Sequence, residues 1–148
     1  MKNSELLETI CTALELSGDD IIKLLALCPG DDDPKSLQVG SLLEECSNAQ
    51  LRRVLEGLIL AERGPRPDGS APSVSNEALT NNEVLKKIRI ALNLQQEDML
   101  LIFEEGGATL SVSELGALFR KPDNKHFRPC SDDLLLQFLG GFQSSLET

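Results

Sequence analysis

Apolar residues along most of the chain recur at the three-to-four residue spacing of helices that bury one face. Residues 4 to 15 show the pattern clearly, because their apolar positions repeat at intervals of one helical turn with polar residues between them. Similar stripes, each bounded by capping residues, proline or glycine, predict eight helices in all. The pattern therefore predicts an all-α protein.

Polar residues suited to capping a helix N-terminus precede most of these stripes. The predicted caps are Ser17 with Asp20, Asp33 before Pro34, Ser47 with Gln50, Thr80 with Glu83, Ser111 with Glu114, and Ser131. Gly106 and Gly107 follow the sixth stripe, as expected at a helix C-terminus. The second helix is apolar nearly all round from Ile21 to Leu27, so we expect it to be the most buried of the first four.

The first stripe occurs again 78 residues downstream. The matching positions are Asn3, Glu5, Leu7, Ile10, Ala13, Leu14, Leu16 and Asp20, which recur as Asn81, Glu83, Leu85, Ile88, Ala91, Leu92, Leu94 and Asp98. Matching stripes require matching burial, so we predict two tandem four-helix units that arose by internal duplication and pack together. Residues 1–62 form the first helical repeat, 63–80 an exposed linker rich in Pro, Gly and Ser, and 81–148 the second repeat.

The two repeats differ most between their third and fourth helices. The second repeat carries FRKPDNKHFRP there, residues 119–129, and we name this segment the basic loop. It is the one strongly basic segment of a chain whose formal net charge is −10. Its candidate partner-binding residues are Arg120, Lys121, Lys125, His126, Phe127 and Arg128.

The acidic charge and the lack of targeting patterns restrict the possible functions. A negative field repels nucleic acid and anionic membranes at long range. Residues 1–10 lack the apolar core of a signal peptide, and no apolar run approaches the ~18 residues of a membrane span, so we expect a cytoplasmic protein. Four cysteines without a C-x-x-C spacing predict free, buried thiols.

The second repeat also carries a family resemblance. The strings NNEVLKKIRIAL, EDML and ELGALFRKPDNKHFRPCSDDLL, followed by FLGG, resemble the YehS-like family of small, duplicated, helical bacterial proteins of unknown function. The match is close from Asn81 to Gly141 and looser in the first repeat. The resemblance implies the duplicated helical fold, and it implies no activity or cofactor. It also implies a long loop in the first repeat, which this chain lacks after Leu42, so two symmetric sites are not expected.

Isolated residues suggest three kinds of chemical site, but each site lacks part of its pattern. The triplet from Asp31 to Asp33 lacks the alternate spacing, the central Gly and the distal Glu of a calcium-binding loop. His126 and Cys130 supply two zinc ligands where three or four are needed. The same pair could act as a nucleophile with its base, yet a cysteine before a helix start is equally explained by capping. We therefore expect a protein that is not an enzyme and uses no metal or cofactor.

Two binding functions remain. A helix-turn-helix made by the sixth and seventh helices would bind nucleic acid, but the turn EEGGATLS is long and the seventh helix offers few donors for base edges. An adaptor or regulator would instead hold an acidic protein surface with the Arg and Phe residues of the basic loop. We favour this interaction module and keep nucleic-acid binding as the alternative. A third interpretation is a structural crossover, with Phe119 and Phe127 packed on the core and the loop charges paired internally.

Overall fold

The computed structural model describes residues 1–28, 39–69 and 75–146, and every regular element in these ranges is a helix. The helices are α1 Asn3–Leu14, α2 Gly18–Leu27, α3 Val39–Glu44, α4 Asn48–Arg63, α5 Asn81–Ala91, α6 Gln96–Glu105, α7 Val112–Leu118 and α8 Asp132–Leu146. The predicted all-α class is confirmed. The aspartate triplet and the Asp33–Pro34 start predicted for the third helix lie outside the described residues.

The predicted caps explain where the helices begin. Four caps, at Ser17, Ser47, Thr80 and Ser111, share one geometry. Each side chain accepts a hydrogen bond from the backbone amide of the residue three positions later, and the side chain of that residue accepts from the backbone N–H of the cap. The hydroxyl of Ser131 accepts from the Leu134 amide at 3.1 Å. Each cap satisfies helix N–H groups that have no carbonyl partner within the helix.

Replacing Ser47 or Ser131 by alanine is expected to lower the free energy of unfolding by about 1 kcal/mol, because the capping oxygen is lost. Thermal unfolding, monitored by circular dichroism, would measure this loss of stability. Ser113→Ala, on the exposed surface of α7 with no capping role, is the control and should change little. Unchanged melts for both cap variants would show that these caps do not stabilise the fold.

The first helix of each predicted repeat packs against the last helix of the other. Helix α1 contacts α8, and α5 contacts α4, while α2 packs on α4 and α6 packs on α8 within the repeats. The buried apolar residues of both halves form one continuous core, which includes Leu7, Ile10, Leu85, Ile88 and Phe138. The two halves therefore bury their apolar faces against each other, as a repeat of about 60 residues requires.

Residues that match between the repeats also make matching contacts. The side-chain amide of Asn3 donates to the Cys46 carbonyl at 3.2 Å, and that of Asn81 donates to the Cys130 carbonyl at 3.0 Å. Both cysteine thiols donate in turn to the carbonyl of the following serine. Duplication itself stays a prediction, and these shared contacts are what it would produce.

The prediction that α2 is the most buried helix of the first half is wrong. Helix α4 buries more residues, including Arg53 and Glu56, whereas Leu27 in α2 is 48% exposed. The reason is position, since α4 lies between α2 on one side and α5 on the other. In α6, where Met99 to Phe103 are all apolar, Leu101 is likewise 61% exposed.

The predicted linker contacts α4 through residues that follow the undescribed segment 70–74. The side-chain carbonyl of Asn76 accepts from the Ala49 amide at 3.0 Å, and the Arg52 guanidinium donates to the Glu77 carbonyl at 3.0 Å. These contacts place Asn76 and Glu77 along the start of α4. Within the described ranges no helix is long and apolar enough to cross a membrane.

Candidate functional site

The basic loop connects α7 to α8 and presents its polar side chains to solvent. The predicted site residues Arg120, Lys121, Lys125, His126 and Arg128 are all exposed, and Phe127 is half-buried. Exposure makes these side chains available to a partner. Whether they bind one stays a prediction.

The loop is held in a defined conformation by one residue of α5. The side-chain amide of Asn82 donates to the carbonyls of Leu118 and Arg128, both at 2.9 Å. The side-chain oxygen of Asn82 accepts from the backbone amide of Cys130 at 2.8 Å. Asn82 thus joins the end of α7, the end of the loop and the start of α8, so that the loop leaves and returns at fixed points.

Turns within the loop add to this order. The Asn124 amide donates to the Lys121 carbonyl at 2.9 Å, and the Phe127 amide donates to the Asn124 carbonyl at 3.0 Å. The side chain of Asn124 also accepts from the His126 amide at 2.8 Å. Backbone groups that are paired in this way cost less conformational entropy to present to a partner.

Replacing Asn82 by alanine is expected to loosen the loop and to lower the free energy of unfolding by about 1 to 2 kcal/mol, because three hydrogen bonds are lost at a partly buried position. Hydrogen exchange should quicken by about tenfold across residues 119–131, since local opening becomes easier. Gln96→Ala, which also removes a side-chain amide but lies at the exposed start of α6 away from the loop, is the control. Unchanged exchange in the loop would show that Asn82 does not hold it.

Only part of the loop's charge is neutralised within the protein. Arg128 forms an ion pair with Glu114 at 3.2 Å, and both side chains are about half exposed. In the described part of the chain, Arg120, Lys121 and Lys125 form no ion pair. Arg128 therefore fits the interpretation of the loop as a structural crossover with internally paired charges. The three remaining cations fit the interpretation of the loop as a partner-binding surface.

The two phenylalanines of the loop have different surroundings. Phe119 is half-buried against the core, and the Arg89 guanidinium lies 4.7 Å from the centre of its ring. Phe127 lines a cavity of about 150 Å³ together with Asn82, Lys86 and Arg120. The loop thus carries a small open depression with an aromatic wall and cationic neighbours.

The pair His126 and Cys130 does not form an activated thiol. Cys130 is 6% exposed, and burial raises the pKa of its thiol from 9.0 to about 11, although Arg128 acts in the opposite direction. A nucleophilic cysteine needs a lowered pKa and access to substrate. The thiol instead donates to the Ser131 carbonyl.

The raised thiol pKa values predict slow alkylation of the folded protein. Burial raises the pKa of Cys11, Cys46 and Cys130 to about 11 each, so at pH 8 their reaction with iodoacetamide should be about 100-fold slower than in urea. The rate, followed by mass spectrometry, should rise up to about pH 11. Rapid labelling of Cys130 at pH 7 would contradict this environment.

The same shifts link thiol ionisation to stability. Each pKa is raised on folding, so the protonated thiols contribute stability that is fully present below the unfolded value of 9.0 and is lost as the pH rises through about 11.

The helix-turn-helix interpretation meets a specific obstacle in α7. Glu114 uses one carboxylate oxygen to accept from the Ser111 amide at 3.0 Å and the other to pair with Arg128. These bonds and the capping contacts hold the pKa of Glu114 below its usual range, so the exposed face of α7 keeps a negative charge. A recognition helix needs donors at that face to contact phosphates and base edges.

Two residues of this site were missed from sequence alone. Both lie on α5: Asn82 donates to the carbonyl of Arg128, 46 positions downstream, and Lys86 lines the cavity at the loop. The sequence did contain a signal for Asn82, which is a difference between the repeats. The matching position in the first repeat is Ser4, and that repeat has no long loop to hold. In the described ranges no group of three or more His, Cys, Asp or Glu residues is arranged to hold a metal ion.

Comparisons with known proteins agree on a family. A family model described as a protein of unknown function (DUF1456) matches residues 81–146. The uncharacterized protein YehS of Escherichia coli (strain K12) is 35% identical over 150 residues, which cover 95% of this chain and 94% of YehS. No solved structure matches. Because the identity extends over nearly the whole length of both proteins, this chain belongs to the YehS family of uncharacterised bacterial proteins.

Proposed function

We propose that the protein is a cytoplasmic helical interaction module, without catalytic activity of its own, that binds an acidic surface of a partner protein through the basic loop. The observation that carries the proposal is the arrangement of Arg120, Lys121 and Lys125, which are exposed and free of ion pairs in the described part of the chain. They project from a loop that Asn82 fastens to α5. Such cations are pre-positioned and keep their charge for a partner.

The charge of the whole chain favours a compact acidic target. The chain carries −10 overall, so an extended polyanion that followed the surface beyond the loop would meet repulsion. A local acidic patch on a protein can match the basic loop and avoid the remainder. Electrostatic complementarity of this kind sets specificity and association rate more than affinity.

The test is a triple charge reversal, Arg120→Glu, Lys121→Glu and Lys125→Glu. Arg128 is left unchanged, because it is already paired with Glu114 at 3.2 Å. The matched control reverses Lys2, Lys23 and Arg63, which are exposed elsewhere and give the same total charge. Partner capture from cell extract, with cross-linking and mass spectrometry, should be lost in the loop variant and kept in the control, and both variants should melt like the wild type.

The alternative is a nucleic-acid-binding regulator, favoured by the short consecutive helices α6 and α7 followed by a cationic loop. It predicts that the wild type binds DNA with a steep salt dependence that the loop variant loses. Capture that persists in the loop variant would place the site elsewhere. A loop variant that unfolds would show that the loop charges serve the fold.

A further inference from the structure

A second cavity continues the depression at the basic loop. It has a volume of about 450 Å³ and lies between α4 and α5, where Gly64 and Arg66 form part of its wall. Glu83 and Lys86 line both this cavity and the one at the loop. The two cavities are therefore neighbours along the exposed side of α5, and we name them together the α5 groove.

The carboxylates of the groove are already occupied by internal cations. Glu56 is 6% exposed and pairs with Lys87, and its other oxygen lies 3.8 Å from Arg66. Glu83 is 3.7 Å from Arg52, and its side chain also accepts from the Thr80 cap. Neither carboxylate leaves an unbalanced negative charge for a ligand.

The cations that remain lie in a row. Lys86 stands where the two cavities meet, and Arg120 and Lys121 line the loop end. None of the three has an ion pair in the ranges that the structure describes. The uncompensated charge along the groove is therefore positive, in contrast to the protein as a whole.

The far end of the groove is apolar. Ile90 is 43% exposed there, and the half-buried Ile59 and Leu60 of α4 face the same cavity. Removing apolar surface from water lowers the free energy of the complex. A ligand that spans the groove would thus meet cations first and an apolar wall afterwards.

We propose that the α5 groove binds an extended acidic segment of the partner protein, with carboxylates over Lys86, Arg120 and Lys121 and an apolar side chain against Ile90. This inference rests on the proposed function and specifies the shape of the partner. The rise of α5 between Asn82 and Ile90 is about 12 Å, which about four extended residues span. The recognised segment is therefore short, acidic at one end and apolar at the other.

The groove fits a peptide better than a nucleic acid. Phosphodiesters carry a charge at every step, so a strand along α5 would also place phosphates against the apolar end of the groove. The cations nearest to that end, Arg66 and Lys87, are already paired with Glu56. A peptide can change from acidic to apolar within a few residues, and the groove makes the same change over that length.

The test uses two fluorescein-labelled peptides and fluorescence anisotropy. The first has the sequence Glu-Glu-Asp-Glu-Gly-Leu-Ile, and the second ends in Ala-Ala instead. The variants are the triple loop reversal and Ile90→Asn, which removes the apolar contact without changing the charge. Leu101→Asn is the matched control, because Leu101 is an exposed apolar residue outside the groove.

The wild type should bind the Leu-Ile peptide about tenfold more tightly than the Ala-Ala peptide, which is a modest share of what burying two aliphatic side chains supplies. Ile90→Asn should abolish that difference and leave Ala-Ala binding unchanged, whereas Leu101→Asn should keep the difference. The loop reversal should weaken both peptides by at least about tenfold, with a loss of salt dependence.

Other outcomes separate the groove from the proposed function. If the loop reversal abolishes capture of the cellular partner but the wild type does not distinguish the peptides, the groove inference is wrong and the interaction module stands. If Ile90→Asn leaves the difference between the peptides intact, the apolar end lies elsewhere. If oligothymidine displaces the acidic peptide at equal concentration, the groove binds nucleic acid and both proposals fail.

Discussion

Replacing Gly141 by alanine is expected to lower the melting temperature by about 10 °C, whereas the same change at the adjacent Gly140 should leave it equal or slightly higher. A Cβ atom on Gly141 would lie 1.9 Å from the Ile102 carbonyl oxygen and 2.7 Å from the Gly106 nitrogen. These atoms belong to the backbone at the end of α6, so relief requires the two helices to separate. A Cβ on Gly140 would meet nothing within 4 Å.

The magnitude follows from what separation of α6 and α8 costs. Overpacking a core contact typically costs about 1 to 3 kcal/mol. We expect the upper end here, because the clash is with backbone, and for a chain of this size that corresponds to about 10 °C. Gly140 faces solvent, where alanine gains up to about 1 kcal/mol over glycine in a helix. The same substitution at two adjacent residues is thus expected to change the melting temperature in opposite directions. Differential scanning calorimetry can compare the two variants.

Gly57 provides an independent repetition in the first half. A Cβ there would lie 2.2 Å from the Leu24 carbonyl oxygen, in the matching contact between α2 and α4. Gly57→Ala should therefore destabilise the protein to a similar extent. If Gly141→Ala and Gly57→Ala melt like the wild type, these helix pairs pack less closely than described.

Replacing Arg53 by methionine is expected to lower the free energy of unfolding by about 3 kcal/mol. Arg53 is 2% exposed, and its guanidinium donates to the Cys28 carbonyl at 2.9 Å and to the Leu25 carbonyl at 3.2 Å. Both acceptors stand at the end of α2, where carbonyls have no partner within the helix. Methionine keeps the length of the side chain and removes both donors.

Urea denaturation measures the loss, and Arg63→Met is the control, since Arg63 is exposed in the last turn of the same helix. Arg53→Lys should lose less stability than Arg53→Met and more than Arg63→Met, because one ammonium group does not reproduce the two directed donors of the guanidinium. A loss below about 1 kcal/mol for Arg53→Met would show that water replaces the guanidinium at the end of α2.

The helices and their caps could be predicted because they depend on neighbouring residues. The capping boxes at Ser47, Thr80 and Ser111 are set by a spacing of three residues, and the structure shows each of them. The close glycine contacts could not be predicted in this way. Nothing local distinguishes Gly140 from Gly141, because the difference arises from where α6 crosses α8.

Arg53 shows the same limit of local patterns. It follows Arg52 in the string LRRVLEG, and both residues resemble the solvent-facing side of an amphipathic helix. Helix α4 is covered by α2 and by α5, so one arginine turns inward to the end of α2 and the other reaches the linker. Assignments of this kind depend on tertiary neighbours that the helical period does not encode.

The candidate site was predicted in part for a related reason. The basic loop stood out because its composition differs from that of its surroundings, and exposure of Arg120, Lys121 and Lys125 followed from their charge. The wall opposite the loop comes from α5, and the apolar end comes from α4 together with Ile90 of α5. These helices meet the loop only after the halves have packed, so no local pattern could bring the groove together.

The pairing of α1 with α8 has a consequence for synthesis of the protein. Helix α1 leaves the ribosome long before α8, so its apolar face, with Leu7 and Ile10, lacks this neighbour until α8 has been synthesised. Helix α4 likewise waits for α5 across the linker. The nascent chain therefore carries exposed apolar surface between the synthesis of α1 and that of α8, the kind of surface to which chaperones attach.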